Sequence, residues 1–216
     1  MIKLYSYWRS SAAYRVRIAL NLKGLEYETV PVHMLKDGGE QYRDEYRAIN
    51  PQSLVPTLVD GDISLSQSLA IMEYLDEQYP DNLLVPGEAK QRAKARQLAL
   101  SIACDIHPLD NLRVLKYLKH ELKVDDSKKD EWYAHWIVLG FRALEESIRK
   151  PGWKGPYCMG ETVSIADICL VPQLYNAHRF GVPLEDFPTL LEIEKNCLEL
   201  EAFKAATPEA QPDAVA

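Results

Sequence analysis

Residues 2–23 read IKLYSYWRSSAAYRVRIALNLK, and this stretch decides the fold. Residues 2–5 alternate between apolar and polar side chains, which predicts a short strand. Residues 6–13 are mostly polar and predict a loop. Residues 13–23 carry apolar side chains at helical spacing, which predicts a helix that ends at Gly24. The basic residues of this helix are predicted to point outward: Arg15, Arg17 and Lys23.

The next stretch of chain completes an α/β unit. A second strand is predicted over 27–32, followed by glycine-containing loop sequence and a helical turn over 44–49. Two further strands flank Asp60-Gly61, because a glycine there supplies the positive φ angle that a tight hairpin turn requires. Ser66-Gln67-Ser68 offers caps for a following helix. The order βαβ, loop, ββα predicts an α/β domain over residues 1–80.

Beyond this domain the pattern changes. Residues 81–87 have the composition of a linker, and after them the strand signals disappear. Helical periodicity recurs over four ranges: 88–120, 127–149, 164–178 and 188–204. Ser164 and Asp167 have the spacing of a capping box at the start of the third range. We therefore predict an all-α C-terminal domain over residues 88–216.

Composition excludes several classes of protein. A net charge of −7 argues against binding to nucleic acid, which requires a basic face. No apolar run is long enough to span a membrane, and the N-terminus does not resemble a signal peptide. The four cysteines form no CxxC pair, which favours free thiols in the cytoplasm. We predict no metal site.

The loop between the first strand and the first helix is a candidate anion site. Ser10 and Ser11 lie where the first turn of a helix exposes unpaired N–H groups and a partial positive charge. A charge-assisted hydrogen bond is worth about 1.5–3 kcal/mol, so one hydroxyl could lower the pKa of a bound thiol by about one or two units. Serine also caps many helices that bind nothing, and this stretch alone leaves both interpretations open.

The chain resembles the zeta class of glutathione transferases, the maleylacetoacetate isomerase family. Residues 7–20 resemble the signature S-S-C-x-W-R-V-R-I-A-L of that class. Further similar segments follow in the same order: Asn50-Pro51, Val55-Pro56, 67–75, 105–111, 166–173, 176–180 and 211–213. The resemblance implies a thioredoxin-like N-terminal domain, an all-helical C-terminal domain, a homodimer, and glutathione as cofactor.

The resemblance also implies roles for individual residues. Ser10 matches the serine that hydrogen-bonds the glutathione sulfur, and Ser11 lies beside it. The tripeptide is held by residues that match Gln41, Val55, Gln67 and Ser68, with Val55 acting through its backbone. A cis Val55–Pro56 bond would turn that backbone outward, but only about 5–6% of X-Pro bonds are cis and composition does not decide it. The helical domain contributes His107, Asn111, Leu112 and Arg113. Arg9, assigned with the two serines to catalysis, and Arg179 match arginines that hold substrate carboxylates.

The implied reaction is the isomerisation of maleylacetoacetate to fumarylacetoacetate in the breakdown of phenylalanine and tyrosine. Alternatives are maleylpyruvate as substrate, glutathione transfer to or dehalogenation of small α-halo acids, and a binding module without catalysis. The chain departs from the family at Ala12, where a cysteine is usual, and at His107, where a glutamine is often found. A glutathione thiolate can still add to the alkene, allow rotation and leave, because residue 12 supplies no sulfur in that reaction.

Overall fold

A computed structural model describes residues 1–150 and 152–215, which form two units. The first unit contains residues 1–84 together with a C-terminal segment, residues 198–215, and the second contains residues 85–197. The proposed domain boundaries, 1–80 and 88–216, remain predictions. The C-terminal segment follows the helical unit in sequence but lies with the first unit.

The first unit has the predicted α/β architecture. Its elements are β1 (Ile2–Ser6), α1 (Ser11–Leu22), β2 (Tyr27–Pro31), α2 (Asp44–Arg47), β3 (Thr57–Asp60), β4 (Ile63–Ser66) and α3 (Ser68–Gln78). The strands form one sheet in the order β2-β1-β3-β4. β1 and β2 are parallel, and the other two pairs are antiparallel. The predicted hairpin is confirmed, since Asp60 pairs with Ile63 and Gly61 has a φ of 62°.

Helix α1 corrects one prediction. Arg15, Arg17 and Lys23 were expected to point outward, but all three are buried. The Lys23 ammonium donates hydrogen bonds to the Asp76 carboxylate (3.0 Å) and to the Asp81 carbonyl (2.9 Å). The prediction was wrong because these partners come from distant parts of the chain, which helical periodicity cannot show.

The second unit is helical, as predicted. Its helices are α4 (Ala89–Asp105), α5 (Leu112–His120), α6 (Asp126–Arg149), α7 (Ile165–Arg179) and α8 (Pro188–Cys197). Helix α7 packs against α4 and α8, and it is buried over most of its length. The predicted capping box is confirmed: Ser164 donates its backbone N–H to the Asp167 carboxylate at 2.8 Å. Within the described ranges, no helix has the length and hydropathy to cross a bilayer.

The C-terminal segment packs on the first unit. Its helix α9 (Glu201–Lys204) contacts α1, and Phe203 is fully buried. The Asn21 amide of α1 donates a hydrogen bond to the Ala202 carbonyl at 3.0 Å. The first unit is therefore completed by residues from the far end of the sequence.

Candidate active site

Strand register brings most of the first-unit candidates to one edge of the sheet. Tyr5 of β1 pairs with Thr57 of β3, and Thr57 pairs with Ser66 of β4. The loop after β1, the loop before β3 and the start of α3 therefore lie side by side. Ser6 pairs with Pro31, so the loop after β2 begins at the same edge. These loops carry the candidate residues Ser10, Gln41, Val55, Gln67 and Ser68.

Ser10 is the N-cap of α1. Its hydroxyl oxygen accepts a hydrogen bond from the backbone N–H of Ala13 at 3.2 Å. A hydroxyl has one donor and two acceptor positions, so this cap leaves the hydroxyl hydrogen able to donate to an anion. Ser11 is the first residue of α1 and is buried. The capping and anion-binding roles of Ser10 are thus compatible.

Arg9 is exposed beside Ser10. Its guanidinium carbon lies 4.1 Å from the centroid of the Trp8 ring. Stacking uses the flat face of a guanidinium group and not its N–H donors. Arg9 is therefore oriented by the ring and can still bind a carboxylate.

Gln41 offers a buried acceptor in the loop after β2. Its amide nitrogen donates to the Met34 carbonyl at 3.4 Å. Its amide oxygen is buried and accepts no hydrogen bond from the described residues. A buried acceptor of this kind calls for a donor. Gly39, with a φ of 119°, gives the amide room, because a Cβ atom there would lie 2.5 Å from the Gln41 nitrogen.

The loop before β3 contains a cis peptide bond between Val55 and Pro56. Two side chains hold the Leu54 carbonyl of this loop: the Tyr46 hydroxyl at 2.6 Å and the Asn50 amide at 2.8 Å. The backbone of Val55 is therefore presented by a well-anchored loop.

Gln67 and Ser68 occupy the start of α3. Gln67 has a φ of 73°, and its amide donates a hydrogen bond to the Gln52 side chain at 3.1 Å. Arg15 donates a hydrogen bond to the Ser68 hydroxyl at 3.3 Å. A buried guanidinium group therefore lies next to a helix N-terminus, and both favour an anionic group such as a ligand carboxylate.

Four predicted residues lie around the start of α5 in the second unit. Asn111 caps α5, since its side-chain oxygen accepts from the Arg113 N–H at 3.1 Å. Arg113 is exposed, whereas His107 and Leu112 are half-buried.

Arg179 ends α7 and is exposed. Its guanidinium carbon lies 4.5 Å from the centroid of the Phe180 ring, and the Tyr133 ring stacks on Phe180 at 3.8 Å. The positive charge of Arg179 also acts electrostatically on the Tyr133 hydroxyl, which lowers the pKa of Tyr133 and partly offsets the effect of burial. Tyr133 was missed by sequence reasoning because no motif pointed to it.

Asp110 lies next to the α5 cap and was also missed. Its side chain is buried, and neither carboxylate oxygen has a hydrogen-bond partner among the described residues. Burial raises the pKa of Asp110 to about 8. Asp110 acts electrostatically on Tyr133, whose pKa is raised mainly by burial and further by this carboxyl. The available signal was an acidic residue that directly follows Pro108 and Leu109 and directly precedes the helix cap Asn111.

No group of three or more potential metal ligands occurs within residues 1–150 and 152–215.

Comparison with known proteins identifies close relatives. The sequence profile of the glutathione S-transferase N-terminal domain matches residues 4–83. A probable maleylacetoacetate isomerase of Vibrio cholerae is 53% identical, over 98% of this chain and 97% of the relative. The holo structure of a maleylpyruvate isomerase, a bacterial zeta-class glutathione S-transferase, superposes with a TM-score of 0.95. It is 44% identical and covers 99% of this chain and 100% of that chain.

A second solved structure carries ligands. The maleylacetoacetate isomerase of Methylobacterium extorquens AM1, with bound malonate and glutathione, has a TM-score of 0.92 at 40% identity. It covers 99% of this chain and 100% of that chain. The chain belongs to the zeta class of glutathione transferases, the family of the maleylacetoacetate and maleylpyruvate isomerases.

Proposed function

We propose that this protein catalyses the glutathione-dependent cis–trans isomerisation of maleylacetoacetate to fumarylacetoacetate. Relatives of that activity align with almost the whole chain. The observation that carries the proposal is Ser10, a hydroxyl at the N-terminus of α1, on the sheet edge that also bears Gln41, Val55, Gln67 and Ser68.

Ser10 stabilises the ionised form of the cofactor thiol. Its hydroxyl donates to the sulfur, and the N-terminus of α1 adds a partial positive charge. A hydrogen bond to a charged group is worth about 1.5–3 kcal/mol, or about one to two pKa units. When bound, glutathione supplies a thiolate that adds to one alkene carbon, permits rotation about the resulting single bond, and leaves unchanged.

The other residues at this sheet edge hold the tripeptide. Gln41 lies in the loop after β2 and matches a position that holds the tripeptide in the family. The backbone of Val55 pairs with the extended peptide. Gln67 and Ser68 bind the γ-glutamyl carboxylate, and Arg15 behind Ser68 supplies positive charge. Each of these four residues carries a hydrogen-bonding group that suits its proposed contact with the tripeptide.

Two arginines bind the carboxylates of the substrate. Arg9 and Arg179 each stack on an aromatic ring, which limits the positions of the guanidinium group and keeps its N–H donors available. A guanidinium group binds a carboxylate in bidentate fashion, and lysine cannot reproduce this geometry. Their positive charge also stabilises the enolate that develops during addition.

Maleylpyruvate is the alternative substrate, because the solved relative with a TM-score of 0.95 is a maleylpyruvate isomerase. Both compounds are cis dicarboxylates with a conjugated keto group, and they differ in the group beyond it. The two arginines and the glutathione thiolate recognise what the two substrates share.

The proposal includes a biological setting. We place the enzyme in phenylalanine and tyrosine breakdown, in the cytoplasm, and as a homodimer. Cys104, Cys158, Cys169 and Cys197 are free thiols, which suits a reducing compartment that contains glutathione. The homodimer rests on family resemblance.

An ultraviolet assay of both maleyl substrates with catalytic glutathione tests the proposal. We expect complete conversion of maleylacetoacetate with no net loss of glutathione. Consumption of glutathione in proportion to product would indicate a transferase or dehalogenase. Failure to convert either maleyl compound would disprove the isomerase assignment.

Ser10→Ala tests the catalytic residue. We expect kcat to fall by about tenfold to a hundredfold, because one hydrogen bond to the thiolate is lost. The matched control is Ser127→Ala, since Ser127 is an exposed serine in the first turn of α6. Full activity in Ser10→Ala would reject the assignment of Ser10.

A further inference from the structure

The Trp8 peptide lies directly before Arg9 and Ser10, and side chains hold both of its hydrogen-bonding groups. Its N–H donates to the Asp213 carboxylate at 3.0 Å. Its carbonyl accepts a hydrogen bond from the Arg17 guanidinium group at 3.1 Å. Loop peptides more often bond to water or to nearby backbone, so this arrangement needs an explanation.

Arg17 connects this loop to the C-terminal segment. Two further N–H groups of Arg17 donate to the Ser6 hydroxyl at 3.2 Å and to the Ala206 carbonyl at 3.0 Å. The side chain is fully buried. The charged or titratable groups that act on it are Tyr14 of its own helix, Tyr27 of β2, and Glu209 and Asp213 of the C-terminal segment. Burial lowers the pKa of Arg17 to about 10, so it remains a cation at neutral pH.

Asp213 contributes to this arrangement through a single oxygen. One carboxylate oxygen accepts the Trp8 N–H, and the other is buried with no hydrogen-bond partner in the described part of the chain. Burying a carboxylate oxygen without a partner costs free energy. The hydrogen bond from the Trp8 N–H to the other oxygen offsets part of that cost.

Fixing the Trp8 peptide also fixes the two residues after it, Arg9 and Ser10. The Ser10 N–H donates to the Tyr7 carbonyl at 2.9 Å, which closes a tight turn around Trp8 and Arg9. A rotation of the Trp8 peptide would therefore pull on Ser10 and misalign the cap hydrogen bond between its hydroxyl and the Ala13 N–H. A thiolate hydrogen bond weakens steeply with misalignment, so small movements matter.

We propose that Arg17 and Asp213 are positioning residues that lock the Trp8 peptide and thereby hold the Ser10 hydroxyl in place for the glutathione sulfur. The C-terminal segment then supports the thiolate site through Asp213 and Ala206. This inference rests on the proposed function, since the ligand is glutathione.

Asp213→Ala, measured with bound glutathione, tests the inference. The ultraviolet absorbance of the thiolate is followed across pH, with no maleyl substrate present. We expect the pKa of the bound thiol to rise by about one unit and kcat at neutral pH to fall about tenfold. KM for the dicarboxylate should rise as well, because Arg9 lies in the same turn and is proposed to bind a substrate carboxylate. Amide hydrogen exchange over residues 7–11 should accelerate in the variant.

Two variants serve as controls. Asp213→Asn keeps an acceptor for the Trp8 N–H and should restore most of the thiolate shift. Glu199→Gln removes an exposed charge from the same segment and should behave as the wild type. If the alanine variant does not fold, Asp213→Ser takes its place, because the serine hydroxyl is too short to reach Trp8.

The outcomes separate this inference from the proposed function. An unchanged thiolate titration in the folded Asp213→Ala or Asp213→Ser variant overturns the inference, even if stability falls. A wild type that binds glutathione as the neutral thiol overturns it as well. A wild type that ionises glutathione but isomerises no maleyl compound disproves the proposed function alone, and the titration still decides the role of Asp213.

Discussion

The two units each bury an ionisable side chain near the candidate functional residues, and they treat it in opposite ways. Arg17 in the first unit donates hydrogen bonds to three oxygens and remains charged. Asp110 in the second unit has no hydrogen-bond partner among the described residues, and burial raises its pKa to about 8. The first group keeps its charge by hydrogen bonding, whereas the second loses its charge by taking up a proton.

The difference indicates what each region must do. The charged N–H groups of Arg17 hold the Trp8 and Ala206 carbonyls in one geometry. This suits a loop that carries a catalytic hydroxyl. A neutral carboxyl fixes nothing by itself. Asp110 instead avoids adding negative charge beside Tyr133 and Arg179, where a substrate carboxylate is proposed to bind.

The largest expected effect is that of Arg17→Met, which removes the buried charge of the first unit. The substitution leaves the Ser6 hydroxyl and the Trp8 and Ala206 carbonyls without their donor, so the free energy of unfolding should fall by about 5 kcal/mol. Urea unfolding measures the change. Arg142→Met, at an exposed position of α6, is the control and should change stability by less than about 0.5 kcal/mol. A loss of that small size for Arg17→Met would show that its hydrogen bonds contribute little.

The second prediction concerns Asp110 and pH. An aspartate in an unfolded chain has a pKa near 3.9, whereas in the folded protein the pKa of Asp110 is about 8. Between these values the folded state binds a proton that the unfolded state has released. Stability from this group therefore falls as pH rises from about 4 to about 8, by about 4 kcal/mol at pH 7.

Asp110→Asn should remove this dependence, because an amide does not titrate. The measurement is the free energy of unfolding of both proteins across that pH range. Asp186→Asn, at an exposed position of the same unit, should follow the wild type. Parallel curves for the wild type and Asp110→Asn would show that Asp110 does not titrate in this range.

The smallest expected effect is that of Tyr133→Phe. The change removes the hydroxyl on which the Arg179 guanidinium group acts electrostatically and keeps the ring stacked on Phe180. We expect KM for the dicarboxylate to rise about threefold with kcat unchanged, a loss of under about 1 kcal/mol. Steady-state kinetics measures both constants, and Tyr117→Phe, at an exposed tyrosine, is the control. A fall in kcat instead would place Tyr133 in the chemical step.

Local features of the fold were predictable from the sequence. The Asp60-Gly61 hairpin and the Ser164 capping box depend on residues close together in the chain, and both are confirmed. The βαβ-ββα order follows from periodicity and turn residues. With the strand register known, this order places the loops that carry Ser10, Val55 and Gln67 at one edge of the sheet.

Distant partners could not be predicted. Arg17 was expected at the surface because a cation on a helix is usually solvated, but its partner Ala206 lies 189 positions along the chain. Asp213 lies 205 positions from Trp8. The burial of Asp110 depends on how helices pack, and no motif encodes that packing. The roles of the candidate residues remain predictions for the same reason, since strand register places loops but does not show a ligand.

The return of residues 198–215 to the first unit has a consequence for how the protein is made. A ribosome releases the sheet and α1 long before it translates Ala206 and Asp213, so a nascent chain holds an arginine whose final acceptor does not yet exist. The first unit therefore cannot reach its final structure until translation of the helical unit is complete. A fragment cut at residue 84 would keep the hydrogen bond from Arg17 to the Trp8 carbonyl but would lack Asp213 as the acceptor for the Trp8 N–H.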